Sequence, residues 1–380
     1  MGTLEQLGQL APLMDLEPAE DAGCPKFVTS RKEAPIVSEA VLPGGKRIRL
    51  LKSLQTSACE RNCYYCPFRA GRDFRRITFK PEEMAHTFMD LHRAGIAQGI
   101  FLSSGMVGGS VFTQDKLLAT AEILRLKLHY QGYLHLKLMP GAERTQVERA
   151  MQLSDRVSLN LEAPNTRRLE RLAPGKTFLE ELMQPLRWVE EIRRTQPSQL
   201  GWKGKWPSTT TQFVVGAVGE SDLELLRTTA YLHQRLRLGR AYFSAFRPIH
   251  DTPLENLPAE SPQREHRLYQ ASFLLRDYGF QVEDLQFDTE LNLPLHTDPK
   301  TAWAQTHLAE QPLEINRAVR QDLLRIPGIG PQGADAILAA RRQTKINALE
   351  ELKRIGVNPN RAAPYILLNG RRPPRQLQLW

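Results

Sequence analysis

Between residues 46 and 284, apolar positions follow two alternating periods, one typical of strands and one typical of helices. The strand-like runs are IRLLKSL (48–54), GIFLSSG (99–105), YLHLKLM (133–139), RVSLNLEA (156–163), STTTQFVVGAVGE (208–220) and RAYFSAFRPI (240–249). The helix-like runs cover residues 81–95, 115–132, 145–153, 178–195, 221–236 and 265–280. Strands that alternate with helices predict βα units and a mainly parallel sheet. Six such strands favour an α/β fold with a partial barrel of the (β/α)6 type.

The rest of the chain lacks this alternation. Residues 1–45 are rich in loop-forming residues and predict an N-terminal extension. Residues 285–313 show few periodic features and predict a linker that docks the C-terminal end. Residues 314–380 return to helical spacing and predict a small all-α domain. The predicted order is therefore extension, barrel over 46–284, linker and C-terminal domain.

The composition is ordinary for a soluble globular protein, with 41% hydrophobic and 24% charged residues. No run approaches the roughly 20 apolar residues of a membrane span. The N-terminal residues lack the basic segment and the apolar segment of a secretory signal. Four cysteines, three of them clustered, are not a disulfide framework. These features predict a cytoplasmic protein with no membrane partner.

The clustered cysteines of the segment SACERNCYYCPF are Cys59, Cys63 and Cys66. Thiolates ligate zinc and iron–sulfur clusters, and structural sites of both kinds normally take four protein ligands. Either Cys24 or a histidine completes the set, or one coordination position is open. His86 and His92 lie six residues apart on a predicted helix, so they do not share a face. Cys24 stands alone in a loop-rich segment, which is typical of a small apolar residue.

The C-x3-C-x2-C spacing, with Tyr65 directly before the last cysteine, resembles the signature of the radical S-adenosylmethionine (SAM) superfamily. The resemblance implies that the three cysteines hold a [4Fe–4S] cluster with one open iron. The amino and carboxylate groups of SAM would bind that iron, and one electron from the cluster would release a 5′-deoxyadenosyl radical. An open position distinguishes a catalytic centre from a structural one, as it does for zinc.

The same resemblance implies SAM contacts at the carboxyl ends of the strands, where barrel active sites are built. The segment FLSSGM would meet the amino group, SLNLEAP the ribose and QFVVGAVGES the adenine. Ser158, Asn160 and Glu162 alternate and would share one strand face; a strand with one solvated face is the alternative. The predicted SAM contacts are Tyr65, Ser103, Ser104, Gly105, Ser158, Asn160, Glu162, Val215, Gly216, Phe246 and Arg247. No catalytic residue is assigned.

Positive charge is concentrated at the C-terminal end. Residues 320–380 hold 11 Lys or Arg and 4 Asp or Glu, a net charge of +7 out of the chain's +9. Within them, LLRIPGIGPQGADAILAARRQ resembles a helix-hairpin-helix motif, whose glycine turn and helix N-terminus can hold a phosphate. The predicted nucleic-acid contacts are Gly328, Ile329, Gly330, Arg341, Arg342 and Lys345. Some hairpins of this kind pack against protein instead, which is the alternative.

Together, residues 20–370 resemble bacterial radical SAM proteins described as DNA modification or repair proteins. The resemblance implies a monomeric enzyme that cleaves SAM to modify or repair a nucleic acid, in the first place DNA. It also implies flavodoxin or ferredoxin as electron donor. Two alternatives stay open. One is a radical SAM enzyme that acts on RNA or a small metabolite, with the hairpins as protein contacts. The other is a DNA-binding protein with a structural iron–sulfur cluster.

Overall fold

A computed structural model describes residues 2–11, 14, 37–42 and 45–374. The chain divides into two compact units. The first comprises residues 1–220 and 231–262, and the second comprises residues 221–230 and 263–380. Residues 263–284, which the sequence pattern placed in the barrel, therefore group with the C-terminal residues. The other predicted segment boundaries stay a prediction.

A seven-stranded sheet forms the core of the first unit. Its strands lie in chain order: β1 (Val37–Val41), β2 (Arg47–Leu54), β3 (Gly99–Ser103), β4 (Tyr133–Lys137), β5 (Arg156–Ser158), β6 (Ser208–Val215) and β7 (Arg240–Ala245). β1 pairs antiparallel with β2, and every later neighbour pairs parallel. The predicted α/β fold with six successive parallel strands in a curled, partial barrel is thus confirmed. β1 was missed, because it lies in the segment that the sequence predicts as loop-rich.

The helices separate the parallel strands as the periodicity predicts. Their bounds are α1 (Thr3–Leu10), α2 (Pro81–Arg93), α3 (Gly109–Glu122), α4 (Arg144–Leu153), α5 (Thr166–Leu172), α6 (Gln184–Thr195), α7 (Asp222–Leu236), α8 (Pro262–Asp277), α9 (Pro299–His307), α10 (Arg320–Arg325), α11 (Pro331–Ala340), α12 (Leu349–Arg354) and α13 (Pro359–Ala362). Two π-helical turns, Ile123–Lys127 and Phe178–Met183, adjoin α3 and α6. None of the helices in the described part of the chain is long and apolar enough to cross a membrane.

Strand alternation gives the sheet one apolar face and one polar face. Leu134 and Leu136 of β4 are fully buried, and they alternate with His135 and Lys137. Successive side chains of a strand point to opposite faces, so His135 and Lys137 share the second face. The register pairs Leu102 with Leu136, which brings the end of β3 beside Lys137. The polar face at the strand ends is where the site described below lies.

The second unit contains α9 to α13 and a two-stranded parallel sheet of β8 (Leu313–Glu314) and β9 (Ile366–Leu367). The C-terminal region is therefore not all-α as predicted. The predicted linker is also more ordered than its sequence indicates, because α9 begins within it. Asp298 caps this helix, and its carboxylate accepts hydrogen bonds from the Thr301 backbone N–H at 3.0 Å and the Thr301 hydroxyl at 2.7 Å. A short helix has little apolar periodicity, so its cap was the only strong signal.

Arg125, in the π-helical turn after α3, is a fully buried charge of the first unit. Its guanidinium donates to the carbonyl oxygens of Tyr130 (2.8 Å), Gly132 (2.9 Å) and Leu153 (2.8 Å). It also pairs with Asp155 Oδ2 at 2.9 Å. One side chain thus provides hydrogen-bond donors to the end of α4 and to the residues directly before β4 and β5.

We expect Arg125→Met to destabilise the first unit by about 3 kcal/mol, because it leaves three carbonyl groups without this donor and Asp155 without its cation. Urea unfolding followed by circular dichroism measures the loss. Lys127→Met is the matched control, since Lys127 is exposed in the same turn. Equal unfolding midpoints for the two variants would contradict this role of Arg125.

Candidate active site

A cleft in the first unit brings the clustered cysteines together with the ends of the strands. Nine of the residues predicted from sequence line it: Cys59, Cys63, Tyr65, Cys66, Ser103, Ser104, Gly105, Asn160 and Glu162. The chemistry of this donor set, three thiols on one loop, fits an iron–sulfur cluster. Among the described residues, no three His, Cys, Asp or Glu side chains are arranged to hold a single metal ion. Cys24 lies outside the described residues, so its predicted role is untested.

Arg61, between the first two cysteines, fixes the cysteine loop to the segment that follows α5. Its guanidinium donates to the Gly175 carbonyl oxygen and to Glu181 Oε1, the latter at 2.6 Å. Nearby, the Tyr64 backbone N–H donates to the Leu172 carbonyl oxygen at 2.9 Å. The loop is therefore held in place by protein contacts as well as by any group bound to its thiols.

Glu60 and Gly105 join the other side of the loop to the segment after β3. The Glu60 carboxylate accepts from the backbone N–H groups of Gly108 (3.0 Å) and Gly109 (3.1 Å). A Cβ atom at Gly105 would lie 2.1 Å from the Ala58 carbonyl oxygen, so only glycine fits there. The predicted Gly105 therefore has a steric role, whatever else it contacts.

Two sulfur atoms accept backbone hydrogen bonds. The Met106 N–H donates to Cys59 Sγ at 3.5 Å, and the Phe68 N–H donates to Cys66 Sγ at 3.4 Å. Such bonds favour the thiolate form and influence the reduction potential of an iron–sulfur cluster. The loop thus presents its sulfur atoms to the cleft with donors already in place.

Burial governs the protonation of the cysteines. It raises the pKa of Cys63 and of Cys66, although the charge of Lys176 acts in the opposite direction on both. These thiols are therefore protonated when no metal is bound, and metal binding would release their protons.

Lys176 and Glu162 form a buried ion pair beside the cysteines, with 2.9 Å between Nζ and Oε1. Burial acts to lower the pKa of Lys176, but Cys63 and Glu162 raise it, and the net shift is upward. Lys176 is therefore a cation inside the cleft. Burial, followed by the charge of Glu162, also raises the pKa of Tyr65, which keeps its phenol neutral.

Glu162 lines the cleft although β5 ends four residues earlier, at Ser158. Its position depends on its own backbone conformation. Its φ of 65° lies in the left-handed region, which is uncommon for a residue with a side chain. Two backbone hydrogen bonds to β6 hold it there. The Glu162 N–H donates to the Gln212 carbonyl oxygen at 2.9 Å, and the Val214 N–H donates to the Glu162 carbonyl oxygen at 2.8 Å. Strand alternation alone, the basis of the prediction, does not account for its position.

The amide of Asn160 is engaged at both ends within the protein. Its oxygen accepts from Lys137 Nζ at 2.6 Å, and its nitrogen donates to Gln212 Oε1 at 3.2 Å. Ser158 is buried but does not line the cleft, and its hydroxyl has no hydrogen-bond partner among the described residues. The role of these residues in binding a ribose stays a prediction.

The remaining predicted SAM contacts lie at the ends of β6 and β7, and none of them lines the cleft. The Phe246 N–H donates to the Val215 carbonyl oxygen at 2.8 Å, and the Glu260 N–H donates to the Phe246 carbonyl oxygen at 2.8 Å. Gly216 follows Val215 in a turn, and Arg247 is exposed. The roles predicted for these four residues are untested.

Sequence reasoning missed the two lysines of the cleft. Lys137 lies at the end of β4, which no part of the motif resemblance covers. Lys176 lies in the segment APGKTF after a short helix, away from every strand end. An isolated lysine in a Pro-Gly loop reads as an exposed surface residue, so only the contacts reveal it.

The predicted nucleic-acid contacts of the second unit fall into two groups. In the glycine turn, Gly328 accepts from the Asn358 N–H at 3.3 Å, and a Cβ atom at Gly328 would lie 2.6 Å from the Asn358 carbonyl oxygen. Ile329 is buried, and Gly330 is the N-cap residue of α11. Arg341 donates to the carbonyl oxygens of Ile315 (3.1 Å) and Ala318 (2.7 Å).

Arg342 and Lys345, in contrast, are exposed at the end of α11, and the described residues offer them no ion pair. The turn and Arg341 therefore make contacts within their own unit, while these two cations face solvent.

Comparison with known families adds one match, to the Radical SAM superfamily over residues 54–227. The matched region begins at the last residue of β2, includes the three cysteines and ends within α7. It covers 174 of the 380 residues. No curated protein matches the chain.

Several solved structures share a remote likeness with the chain. One is the FeFe-hydrogenase maturase HydG from Carboxydothermus hydrogenoformans, with 15% identity, a TM-score of 0.45, and coverage of 60% of this chain and 51% of that chain. Methylornithine synthase (PylB) shows 16% identity, a TM-score of 0.47, and coverage of 60% and 62%. A radical SAM methyltransferase from Sphaerobacter thermophilus shows 15% identity, a TM-score of 0.44, and coverage of 72% and 80%. The chain thus spans about half of the first structure and three fifths of the second.

The family match confirms the cysteine-based prediction of an enzyme domain and of its two cofactors. The cysteines lie on the loop after the first parallel strand, within the matched residues, and line the cleft. Residues 54–227 thus match the Radical SAM superfamily, whose members are enzymes that use a [4Fe–4S] cluster and S-adenosylmethionine.

Proposed function

We propose that this chain is a radical SAM enzyme in which Cys59, Cys63 and Cys66 hold the cluster and the adjoining cleft binds SAM. The observation that carries the proposal is the single cleft that unites the three thiols with Tyr65, Glu162 and Lys176. When bound, the cluster would supply the electron that cleaves SAM to a 5′-deoxyadenosyl radical. The contribution of the protein is to hold the thiolates, orient SAM and shield the site from water.

Charge balance supports this use of the cleft. Three clustered thiolates would be costly without a nearby cation, and Lys176 supplies one inside the cleft. Glu162 holds Lys176 in place through its Oε1 atom. Its Oε2 atom accepts no hydrogen bond from the described residues and is therefore an acceptor for a polar group of SAM. Ser103 and Ser104 also line the cleft.

The partners of the chemistry are proposed from the superfamily. Its members need an electron donor, for which we propose flavodoxin or ferredoxin. A cytoplasmic location and a monomeric state remain predictions.

For the substrate we propose a nucleic acid, on the basis of the second unit. Its α10, turn and α11 have the order of a helix-hairpin-helix motif. Arg342, Lys345, Lys353 and Arg354 are exposed, and no ion pair among the described residues neutralises them. Because exposed cations bind phosphates without reading bases, they would position rather than select a substrate. The packed glycine turn favours the alternative, in which the hairpins contact protein and the substrate is of another class.

The cysteine assignment predicts the cluster content of variants. We expect single Cys→Ser changes at Cys59, Cys63 or Cys66 to lower the iron and sulfide bound after anaerobic reconstitution to a small fraction of the wild-type value. Cys24→Ser should retain both, because the proposed cluster has three protein ligands. Iron and sulfide analysis with EPR of the reduced protein measures this. Loss of the cluster from Cys24→Ser would support the structural-cluster alternative.

Lys176 and Glu162 should shift the reduction potential of the reconstituted cluster in opposite directions. Lys176→Met removes a positive charge, so the reduced and more negative cluster becomes less favourable and the potential falls. Glu162→Gln removes a negative charge, and the potential rises. Each shift should be on the order of 50 mV, from one charge at close range in a protein interior.

EPR-monitored redox titration measures both shifts, and Lys176→Arg is the control that keeps the charge. Shifts of equal sign would show that the two changes perturb the loop structure rather than the local charge. SAM affinity, measured in parallel, separates this effect from loss of cofactor contacts.

The nucleic-acid proposal predicts a salt dependence that resides in Arg342 and Lys345. Log affinity for a random duplex should fall linearly with log salt. Changing both residues to Gln should flatten the slope by up to about 1.8, or 0.9 per lost phosphate contact. Fluorescence anisotropy at several salt concentrations measures the slope. Arg194→Gln with Lys205→Gln, two exposed positions of the first unit, is the matched control.

Arg341→Gln should act differently, because Arg341 caps carbonyl groups of its own unit. It should lower stability with little change in the salt slope. A slope that is unchanged in the Arg342 and Lys345 double variant would assign the hairpins to protein contacts.

A further inference from the structure

The second unit contains a cavity of about 390 Å³ that the proposed radical chemistry does not use. Its lining combines one face of α8, including Gln270, with Tyr278 directly after that helix and with the start of α9. The glycine turn and Arg361 complete it. All of its lining residues belong to the second unit.

Lys300 is the buried cation of this cavity, with 8% of its surface exposed. Its Nζ donates to the Ile329 carbonyl oxygen at 2.6 Å and lies 4.6 Å from the centre of the Tyr278 ring. A carbonyl group and a ring face compensate a buried ammonium only in part, since neither carries a full negative charge. Burial, followed by the charge of Arg361, lowers the pKa of Lys300 to about 7.

The carboxylate of the cavity lining is already committed to other donors. Asp298 accepts from the Thr301 backbone N–H and hydroxyl, and its Oδ2 atom pairs with Arg361 at 2.6 Å. The side chains that line the cavity thus include two basic groups and one carboxylate, a net charge of +1 when Lys300 is protonated. A cavity with this excess favours an anion.

The neutral polar groups of the lining also have donors left over. The Gln270 amide oxygen accepts from Arg267 at 2.8 Å, and the Asn358 amide oxygen accepts from the Arg361 N–H at 3.4 Å. With both oxygens engaged, the NH₂ group is the donor that each amide has left for a ligand. Gln270, Asn358, Lys300 and Arg361 all line the cavity.

We propose that this cavity is a binding site for a tetrahedral oxyanion of the phosphate type, held by Lys300 and Arg361 with the amides of Gln270 and Asn358. The ammonium acts as a point charge and the guanidinium as a fork, two geometries that phosphate groups accept. Asn358 and Arg361 are exposed, so the phosphate can come from a free ion, a nucleotide or a nucleic-acid backbone. The site is independent of the cluster and of Arg342 and Lys345.

Sulfate is the probe of choice, because its charge does not change near neutral pH. Isothermal titration of the full chain should show one site, with an affinity that falls about tenfold or more from about pH 6 to about pH 8.5. The sign follows from Lys300, which is charged below its pKa and loses its proton as pH rises through it. The other charged or titratable groups around it are Asp298, Arg361 and Tyr278. Burial raises the pKa of Tyr278 away from this range.

Lys300→Met should abolish sulfate binding at millimolar concentration, together with its pH dependence. Lys353→Met removes the same charge at an exposed position of the same unit and should change neither. If Lys300→Met fails to fold, Arg361→Gln at the exposed mouth replaces it, with an expected loss of at least threefold. No binding by the wild-type chain, or equal binding by Lys300→Met, overturns the proposal and leaves Lys300 as a brace for the turn.

Two further arms identify the source of the phosphate. If Lys300→Met weakens a mononucleotide and a duplex alike, the site takes a backbone phosphate. If it weakens sulfate and the mononucleotide but not the duplex, the site takes a free ligand. Either result supports the oxyanion site. The salt-slope experiment tests Arg342 and Lys345 instead, so its outcome can be distinguished from the outcome of this one.

Discussion

The interaction of Arg61 with the segment after α5 is the constraint on which the candidate active site depends. One guanidinium, placed between the first two cysteines, joins their loop to Gly175 and Glu181. Lys176 directly follows Gly175 in the chain and lines the cleft. The contacts of Arg61 therefore position both the cysteine loop and the cation that compensates its thiolates. A cluster inserted into this loop would find both its ligands and its counter-charge already arranged.

The two units present their charges differently. In the first, the cations of the cleft are buried and paired, as Lys176 is with Glu162 and Lys137 is with Asn160. In the second, several cations are exposed and unpaired among the described residues, while Arg267 and Lys300 are buried. Buried and paired charges orient small groups, whereas exposed charges attract large polyanions from a distance. The two functions proposed for the units follow this difference in the placement of charge.

Sequence patterns predicted the parallel strands and the cysteine loop because both are local signals. Strand alternation needs only neighbours, and Cys59, Cys63 and Cys66 are close in the chain. Lys176 could not be found in this way, since its significance arises from contacts with residues more than ten positions away. The helix-hairpin-helix resemblance located the turn, but it could not show that Arg341 is used internally. A sequence motif specifies residue types and spacing. The direction of a side chain depends on tertiary packing, which a motif does not describe.

The left-handed backbone of Glu162 carries a cost that its ion pair offsets. A side chain in this region costs of order 1 kcal/mol relative to glycine, and asparagine tolerates it better than glutamate. Loss of the carboxylate, however, would leave the buried Lys176 ammonium without its counter-charge, at a cost of about 3 kcal/mol or more. A library selected for resistance to heat should therefore keep a carboxylate at position 162. Glycine should appear there only in clones that also carry a neutral residue at position 176.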